Sequence, residues 1–258
     1  LLKRLGKEVY FWTYGADVRT KATTEKLGRF HCCVECPTVG RACTCEQSKH
    51  HENFNRIRDV AKAVFAMGDM LEYTPGSRNN LFFWPVDLEA NGGRRYEPRY
   101  PDPKGRGPLR IVHAPNHRQF KGTHYLLDVV VGLRSEGLDV DLQLVEKVPN
   151  DQALRIYRSA DLIFDQCLIG FHGYSANEAM AIGKPVMTYV RKPQQYLLHP
   201  EECPLINARA DRVEETLRSL VHDRARLHEI GVAGRRYIER HHSLEAFAQR
   251  LAAAYGGA

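Results

Sequence analysis

Hydrophobic positions along the chain change their spacing near residue 109. Beyond it, short apolar runs alternate with stretches in which apolar residues recur every three or four positions. Leu109 to Ala114, Val140 to Val145, Asp161 to Phe164, Val186 to Val190 and the residues near Pro204 to Asn207 read as strands. Thr123 to Glu136, Asp151 to Ser159 and Ala176 to Ile182 read as the intervening helices. Arg212 to Tyr255 reads as helical, divided near Asp223 and at His241-His242-Ser243, with Ser243 suited to cap the last segment. Strands alternating with helices imply right-handed βαβ units and a parallel, doubly wound sheet. Such sheets bind ligands beyond the carboxyl ends of their strands.

The pattern before residue 109 is less regular. Lys7 to Tyr14 predicts a strand running into a loop, Gly15 to Arg19, that carries Asp17 and Arg19. Ile57, Val60, Ala61 and Val64 predict a helix between Asn53 and Met67, followed by short strands around Leu71 and from Leu81 to Trp84. Pro85 to Pro108 holds four glycines and five prolines and reads as a linker. The expected organisation is a partial amino-terminal unit over 1–90, a linker over 91–108 and a complete unit over 109–258. Leu1 to Gly6 reads as the tail of a helix, so an amino-terminally truncated chain is expected.

Composition removes whole classes. With 258 residues, 43% hydrophobic and 26% charged, the chain is neither disordered, collagenous nor coiled-coil. Its longest nearly apolar stretch, Tyr125 to Leu133, contains Asp128 and falls far short of the ~20 residues of a membrane span. The first residue is Leu1 and no signal-peptide hydrophobic region follows Lys3-Arg4, so the chain is expected to be either processed or a fragment of something larger; the expected location is cytoplasmic. The net charge of +6 is spread over interrupted clusters such as Gly93-Arg94-Arg95, which argues against nucleic acid as a partner. It leaves room for anionic small molecules and for peripheral contact with an anionic membrane.

Five of the seven cysteines fall between Cys32 and Cys45. An odd total without a leader favours a reducing compartment over a disulfide framework. Cys33-x2-Cys36 and Cys43-x-Cys45, with Pro37 and Gly40 between the pairs, can bring four thiolates to one structural zinc ion, with Cys32 as a substitute ligand. The alternative is a loop of reduced thiols or a redox-sensitive pair. A four-thiolate shell leaves no open position, so zinc would staple the loop and take no part in catalysis.

Three loops leaving the carboxyl ends of the predicted strands are ligand-like. Ala114 to Thr123 carries Asn116, Arg118 and Lys121 ahead of a helix, a pairing suited to a phosphate or diphosphate. Gly170 to Val186 opens a helix with a glycine loop and places Glu178 near its first turn, where a carboxylate can accept hydrogen bonds from ribose hydroxyls. Glu146 to Pro149 could pass near a nucleobase. Against these stand solvated charges at Arg118 and Lys121, and a Glu178 that merely complements the helix dipole.

At Tyr157-Arg-Ser-Ala-Asp161 and Asn177-Glu178-Ala-Met-Ala-Ile-Gly183-Lys-Pro-Val186 the sequence resembles the retaining GT-B glycosyltransferases that carry an E-x7-E motif. The likeness runs over about residues 109 to 255. Residues 1 to 90 look like the latter part of the matching amino-terminal domain. There Tyr14-Gly-Ala-Asp17-Val-Arg19 stands where relatives often have His-Gly-Ser-Asp, and Trp84-Pro-Val-Asp87 resembles the interdomain crossing. The resemblance implies two Rossmann-like domains facing across a cleft and metal-independent transfer of a sugar, a hexose by analogy, from a nucleotide-diphosphate donor. It implies that Arg118 and Lys121 bind the diphosphate and that Glu178 holds the ribose. Asn116, His172, Gly173, Tyr174 and Ser175 would line the donor, and Tyr14, Gly15, Asp17 and Arg19 the acceptor side. The implied acceptor is a glycan, lipid or small molecule, and the implied role polysaccharide biosynthesis.

Two departures bear on that expectation. Gly170 stands where the first glutamate of the motif belongs, and Tyr14 where many relatives have histidine. They motivate a second reading, a catalytically degenerate nucleotide-binding or zinc-stapled interaction module on the same fold. A nicotinamide dehydrogenase is disfavoured, because no Gly-x-Gly-x-x-Gly follows the strand at Leu109 to Ala114.

Overall fold

Two parallel sheets organise the chain in a computed structural model that describes residues 2–41 and 43–256. Strands β1 (Tyr10–Trp12) and β2 (Ala63–Phe65) pair in the first. The second runs β4-β3-β5-β6-β7, with β3 Leu109–His113, β4 Val140–Leu144, β5 Leu162–Gly170, β6 Val186–Val190 and β7 Ile206–Asn207. The chain reverses its winding between β3 and β5, and that switch point opens a crevice at the carboxyl ends of the two strands.

The helices are α1 (Gly15–Val18), α2 (Lys21–Lys26), α3 (Gln47–Val60), α4 (Arg118–Lys121), α5 (Thr123–Ser135) and α6 (Asn150–Tyr157). They continue with α7 (Tyr174–Ala181), α8 (Pro193–Tyr196), α9 (Val213–Val221), α10 (Arg224–Tyr237) and α11 (Leu244–Gly256). Leu126, Val130 and Leu133 of α5 and Val213, Leu217 and Leu220 of α9 pack on one face of the larger sheet, against Leu109, Ile111, Leu162 and Phe164. Leu154 and Tyr157 of α6 and Ala176, Ala179 and Met180 of α7 pack on the other, against Val112, Ile163 and Val186. Burial on both faces is why these strands read as continuous apolar runs. Each fully buried Leu contributes roughly 1.5–3 kcal/mol.

Several elements depart from the sequence expectation. Gly15–Val18 forms one helical turn instead of a loop. The helix expected over Asn53 to Met67 ends at Val60, and Ala63 to Phe65 form a strand. Pairing with β1 outweighs the helical spacing: the Lys62 amide donates to the Val9 carbonyl at 2.7 Å, and the Lys62 ammonium meets Glu8 at 2.6 Å. Around Leu71 stands a 3-10 helix, Gly68–Glu72, because Gly68 at φ +61° turns the chain off the strand direction. Leu81 to Trp84 joins no ladder among the described residues, since Phe82 at φ +45° breaks the extended run. The segment read as a linker is packed: Tyr96 is buried, and the Arg99 amide donates to the Ile182 carbonyl at 2.9 Å. Leu1, part of the expected helix tail, lies outside the described residues, and Lys3–Leu5 form a 3-10 turn.

Ser243 caps α11 by accepting from the Ala246 amide at 3.2 Å. A π-helical turn, Ile238–His242, separates α10 from α11. Helix α11 then returns to the first sheet, where Ala254, Leu251 and Phe247 pack against Phe65 and Leu81. The two sheets are also joined by Met67, Met70 and Phe82 packing with Phe171, Val190 and Tyr196. No described helix is long and apolar enough to cross a membrane.

Candidate functional site

The loop after β3 is pinned from beneath. His113 is fully buried, its ring nitrogens 2.9 Å from the Phe164 carbonyl and 2.8 Å from the Thr123 hydroxyl. Burial pulls its pKa down to about 4, so a neutral ring ties β3, β5 and α5 together. The single turn α4 then carries Phe120 and Lys121 to the interdomain crevice before Gly122, at φ +72°, breaks the helix and α5 begins. The basic pair therefore belongs to a separate helical turn.

Strand β5 supplies the residue that organises this end of the sheet. Its register against β6 shifts between Phe164 and Gln166 and again before Gly170, and such bulges re-aim side chains. Gln166 stitches the irregularity: its carbonyl accepts from the Leu168 and Ile169 amides at 2.8 and 2.7 Å, and its amide donates to the Tyr189 carbonyl at 2.7 Å. Asp165 stands in the bulge, buried, and accepts four hydrogen bonds. They come from Lys121 Nζ at 2.5 Å, the Gly173 amide at 2.8 Å, Thr188 Oγ1 at 3.1 Å and Ser175 Oγ at 3.2 Å. Burial alone would raise its pKa, but the Lys121 charge and these donors hold it below the usual carboxylate value. Gly173 permits the close approach, because a β-carbon there would lie 3.2 Å from both Lys121 Nζ and Asp165 Oδ1.

The crevice encloses about 380 Å³. Asn116, His117, Phe120, Lys121, Phe171, His172, Gly173 and Tyr174 form its carboxy-terminal wall. Tyr14, Gly15, Ala16, Arg19, Cys43, Asp69 and Met70 face them. Arg19 is buried and donates to Asp69 at 2.5 Å, so each wall carries one cation already held by a carboxylate. Trp84 lies between the walls, stacked on Phe171 with centroids 6.1 Å apart and edge-on to Tyr174. Burial lowers the pKa of His172, and its Nδ1 lies 3.1 Å from the Gly173 carbonyl.

The expected site residues thus divide. Asn116, Lys121, His172, Gly173 and Tyr174 meet Tyr14, Gly15 and Arg19 across one crevice. Ser175 stands behind its wall on Asp165. Arg118 is half-exposed and does not line the crevice; its Nε donates to Glu146 at 2.8 Å in a two-pronged ion pair. Glu178 is buried in α7, outside the lining, and accepts from Tyr96 at 3.2 Å and Asn150 at 3.2 Å. Burial raises its pKa, and those two bonds offset part of the shift. Asp17 is exposed and lies outside the lining.

At Gly170 the backbone takes φ +93°, and a β-carbon there would lie 2.6 Å from the Arg191 guanidinium. The carboxylate expected at this position is replaced by a glycine with an arginine packed over it.

Among the described residues one group of potential metal ligands comes together, His199, Glu202 and His241; Cys33, Cys36, Cys43 and Cys45 form no such group. Cys45 instead accepts from the Gly40 amide at 3.2 Å. Contact between the neighbouring thiols raises the pKa of buried Cys32 and pulls that of Cys33 down to about 6.

Asp165, Phe120, Asp69, Tyr96 and Asn150 were not among the residues the sequence singled out, and Trp84 stood out only as part of the crossing. Asp165 had a signal, a charge directly after the apolar run Leu162-Ile-Phe164. Tyr96 and Asn150 reach Glu178 from 82 and 28 positions away and carry no local mark.

A doubly wound sheet with a cation at its switch point, closed by a second α/β unit, has the layout of the GT-B fold. Residues 122–253, a little more than half of the chain, match the family described as glycosyl transferase-like, and the chain belongs to that family. No curated protein sequence matches it. The crystal structure of Anabaena HepE in complex with UDP aligns with TM-score 0.63 at 12% identity, covering 100% of this chain and 74% of HepE. HepE in complex with UDP-glucose aligns with TM-score 0.59 at 13% identity, covering 83% of this chain and 69% of HepE. A point mutant of S. aureus TarM in complex with fondaparinux, alpha-GlcNAc-glycerol and UDP aligns with TM-score 0.54 at 12% identity, covering 80% of this chain and 46% of TarM. At such identities the likeness establishes the fold.

Proposed function

We propose that the chain transfers a hexose from a nucleotide-diphosphate donor to an acceptor, with retention at the anomeric carbon and without a catalytic metal. The observation that carries this reading is Lys121, a buried cation of the crevice wall held by Asp165, which also accepts from the Gly173 amide. An ammonium has three donors, so Lys121 can keep Asp165 and still bond a phosphate oxygen. A preorganised cation in a half-enclosed site stabilises the charge that grows on a departing diphosphate. Arg118 at the outer rim adds a second cation once Glu146 releases it. Glu178 holds the ribose through its carboxylate in place of the Asn150 and Tyr96 bonds. The acceptor lies against Tyr14, Gly15 and Arg19. The donor to try first is UDP-glucose, present in one of the HepE complexes. The reading includes a location in the cytoplasm, with contact at an anionic membrane surface that the net charge of +6 would favour.

A second reading, nucleotide binding without turnover, is favoured by Gly170 with Arg191 packed over it. Incubation with UDP- and GDP-hexoses and a panel of acceptors separates the two. We expect nucleotide release and, by proton NMR of the product, the same anomeric configuration as the donor. Saturable binding without release would favour the second reading; inversion would refute retention; no binding of either nucleotide would refute both.

A further inference from the structure

Between α8 and β7, outside the crevice lining, the chain makes the turn His199-Pro200-Glu201-Glu202. Pro200 occupies its second position, where the fixed φ of proline suits a turn, and the Glu202 amide closes it on the His199 carbonyl at 3.0 Å. Such a turn brings its first and fourth side chains to the same place. His199 itself sits at φ +47°, the left-handed region that side chains rarely adopt and that tends to persist where surrounding structure holds it. The π-helical turn Ile238–His242 presents His241 from the opposite side, and irregular turns of this kind gather at functional sites.

The three side chains converge. His241 Nε2 lies 3.0 Å from Glu202 Oε2, and the rings of His199 and His241 stack with centroids 4.2 Å apart and 24° between their planes. Arg240 also bonds Glu202, on the same Oε2. Tyr237 donates to the Leu198 carbonyl, so the π-turn region grips the 199–202 turn at both ends. One nitrogen from each histidine and a carboxylate oxygen all lie within 4.8 Å of one another. Ligands ~2.1 Å from a tetrahedral ion are separated by ~3.4 Å, so closure of at most about 1.4 Å would complete the set. His199 is half-exposed and can supply that movement, while His241 is buried and anchored.

We propose that His199, Glu202 and His241 bind a divalent cation of the zinc class. Two imidazoles and one carboxylate are the donor set such ions prefer, and a fourth position remains for water. The site is separate from the crevice. It sits where the chain crosses from α10, packed on the larger sheet, to α11, packed on the smaller one. A bound ion would tie that crossing to the 199–202 turn and stiffen the join between the two sheets.

The test uses tag-free protein, freed of metal by chelator and titrated with Zn²⁺ and Co²⁺. We expect one equivalent to bind, a cobalt spectrum without thiolate charge transfer, and a rise in the unfolding midpoint with metal. His199→Ala removes the half-exposed ligand and its stacking on His241 while leaving the buried His241 in place. It should weaken binding by at least the roughly 10–100-fold that even an outer-shell partner is worth. His199→Ala with His241→Ala should abolish both the bound equivalent and the midpoint shift. Failure to bind either ion, unchanged affinity in both variants, or a thiolate spectrum from the cysteines at 33–45 would each overturn the proposal.

Discussion

Asp165→Ala is expected to remove roughly 3–5 kcal/mol of folding free energy, the cost of breaking a buried ion pair by deleting one partner. Lys121 is left buried without its countercharge, and the Gly173 amide and the Ser175 and Thr188 hydroxyls lose their acceptor. Asp165→Asn keeps the shape and an acceptor oxygen, so it should cost less. The pH dependence has a definite sign. The folded-state pKa lies below the ordinary value of 3.8, so the contribution is complete above that value and drains as pH falls beneath it. The gap between wild type and Asp165→Ala in urea unfolding should therefore narrow in acid. A loss under about 1 kcal/mol at pH 7 would mean that the pair is not made in solution.

Glu178→Gln is expected to raise stability and lower donor affinity together. Burial raises the carboxyl pKa above 4.5, so the folded chain holds that proton more tightly than the unfolded chain does. Stability contributed by this group falls as pH rises through its folded-state value, and at pH 7 the ionised carboxylate is a net cost. Glutamine removes the charge while keeping an oxygen for Tyr96 and Asn150. A hydrogen bond to a charged group is worth ~1.5–3 kcal/mol, so losing the carboxylate should weaken UDP binding about tenfold or more. Thermal unfolding and calorimetry on the same preparation read both effects. Lower stability with unchanged UDP affinity would leave Glu178 as a complement to the helix dipole.

The carboxy-terminal strands and helices were readable because parallel strands buried on both faces leave continuous apolar runs. Strand β2 was not, since Ile57, Val60, Ala61 and Val64 keep helical spacing straight through the end of α3 at Val60. Only pairing with β1, 53 positions earlier at Tyr10 and Ala63, decides the matter. The site divides in the same way. Lys121 was visible as a cation at a helix start, and His172 to Tyr174 as a glycine loop. The bulge that turns Asp165 onto Lys121 depends on how β5 meets β6, which no local pattern records. Arg118 looked equivalent to Lys121 in sequence; its partner Glu146, from the loop after β4, draws it to the rim. The glycine at 170 signalled a departure, and Arg191, 21 positions on, supplies its physical content.

That Lys121, held by Asp165, is the cation that grips the donor diphosphate is tested most directly by UDP calorimetry on three proteins. Replacing a buried pair at both ends is often close to neutral for stability, so Lys121→Met with Asp165→Asn should fold. Wild type should bind UDP, the double variant should bind at least about tenfold more weakly, and Arg118→Ala, whose half-exposed cation must first leave Glu146 to reach the phosphate, should lose less than the double variant. A folded double variant that binds UDP as wild type does, or a larger loss in Arg118→Ala than in the double variant, would contradict the assignment.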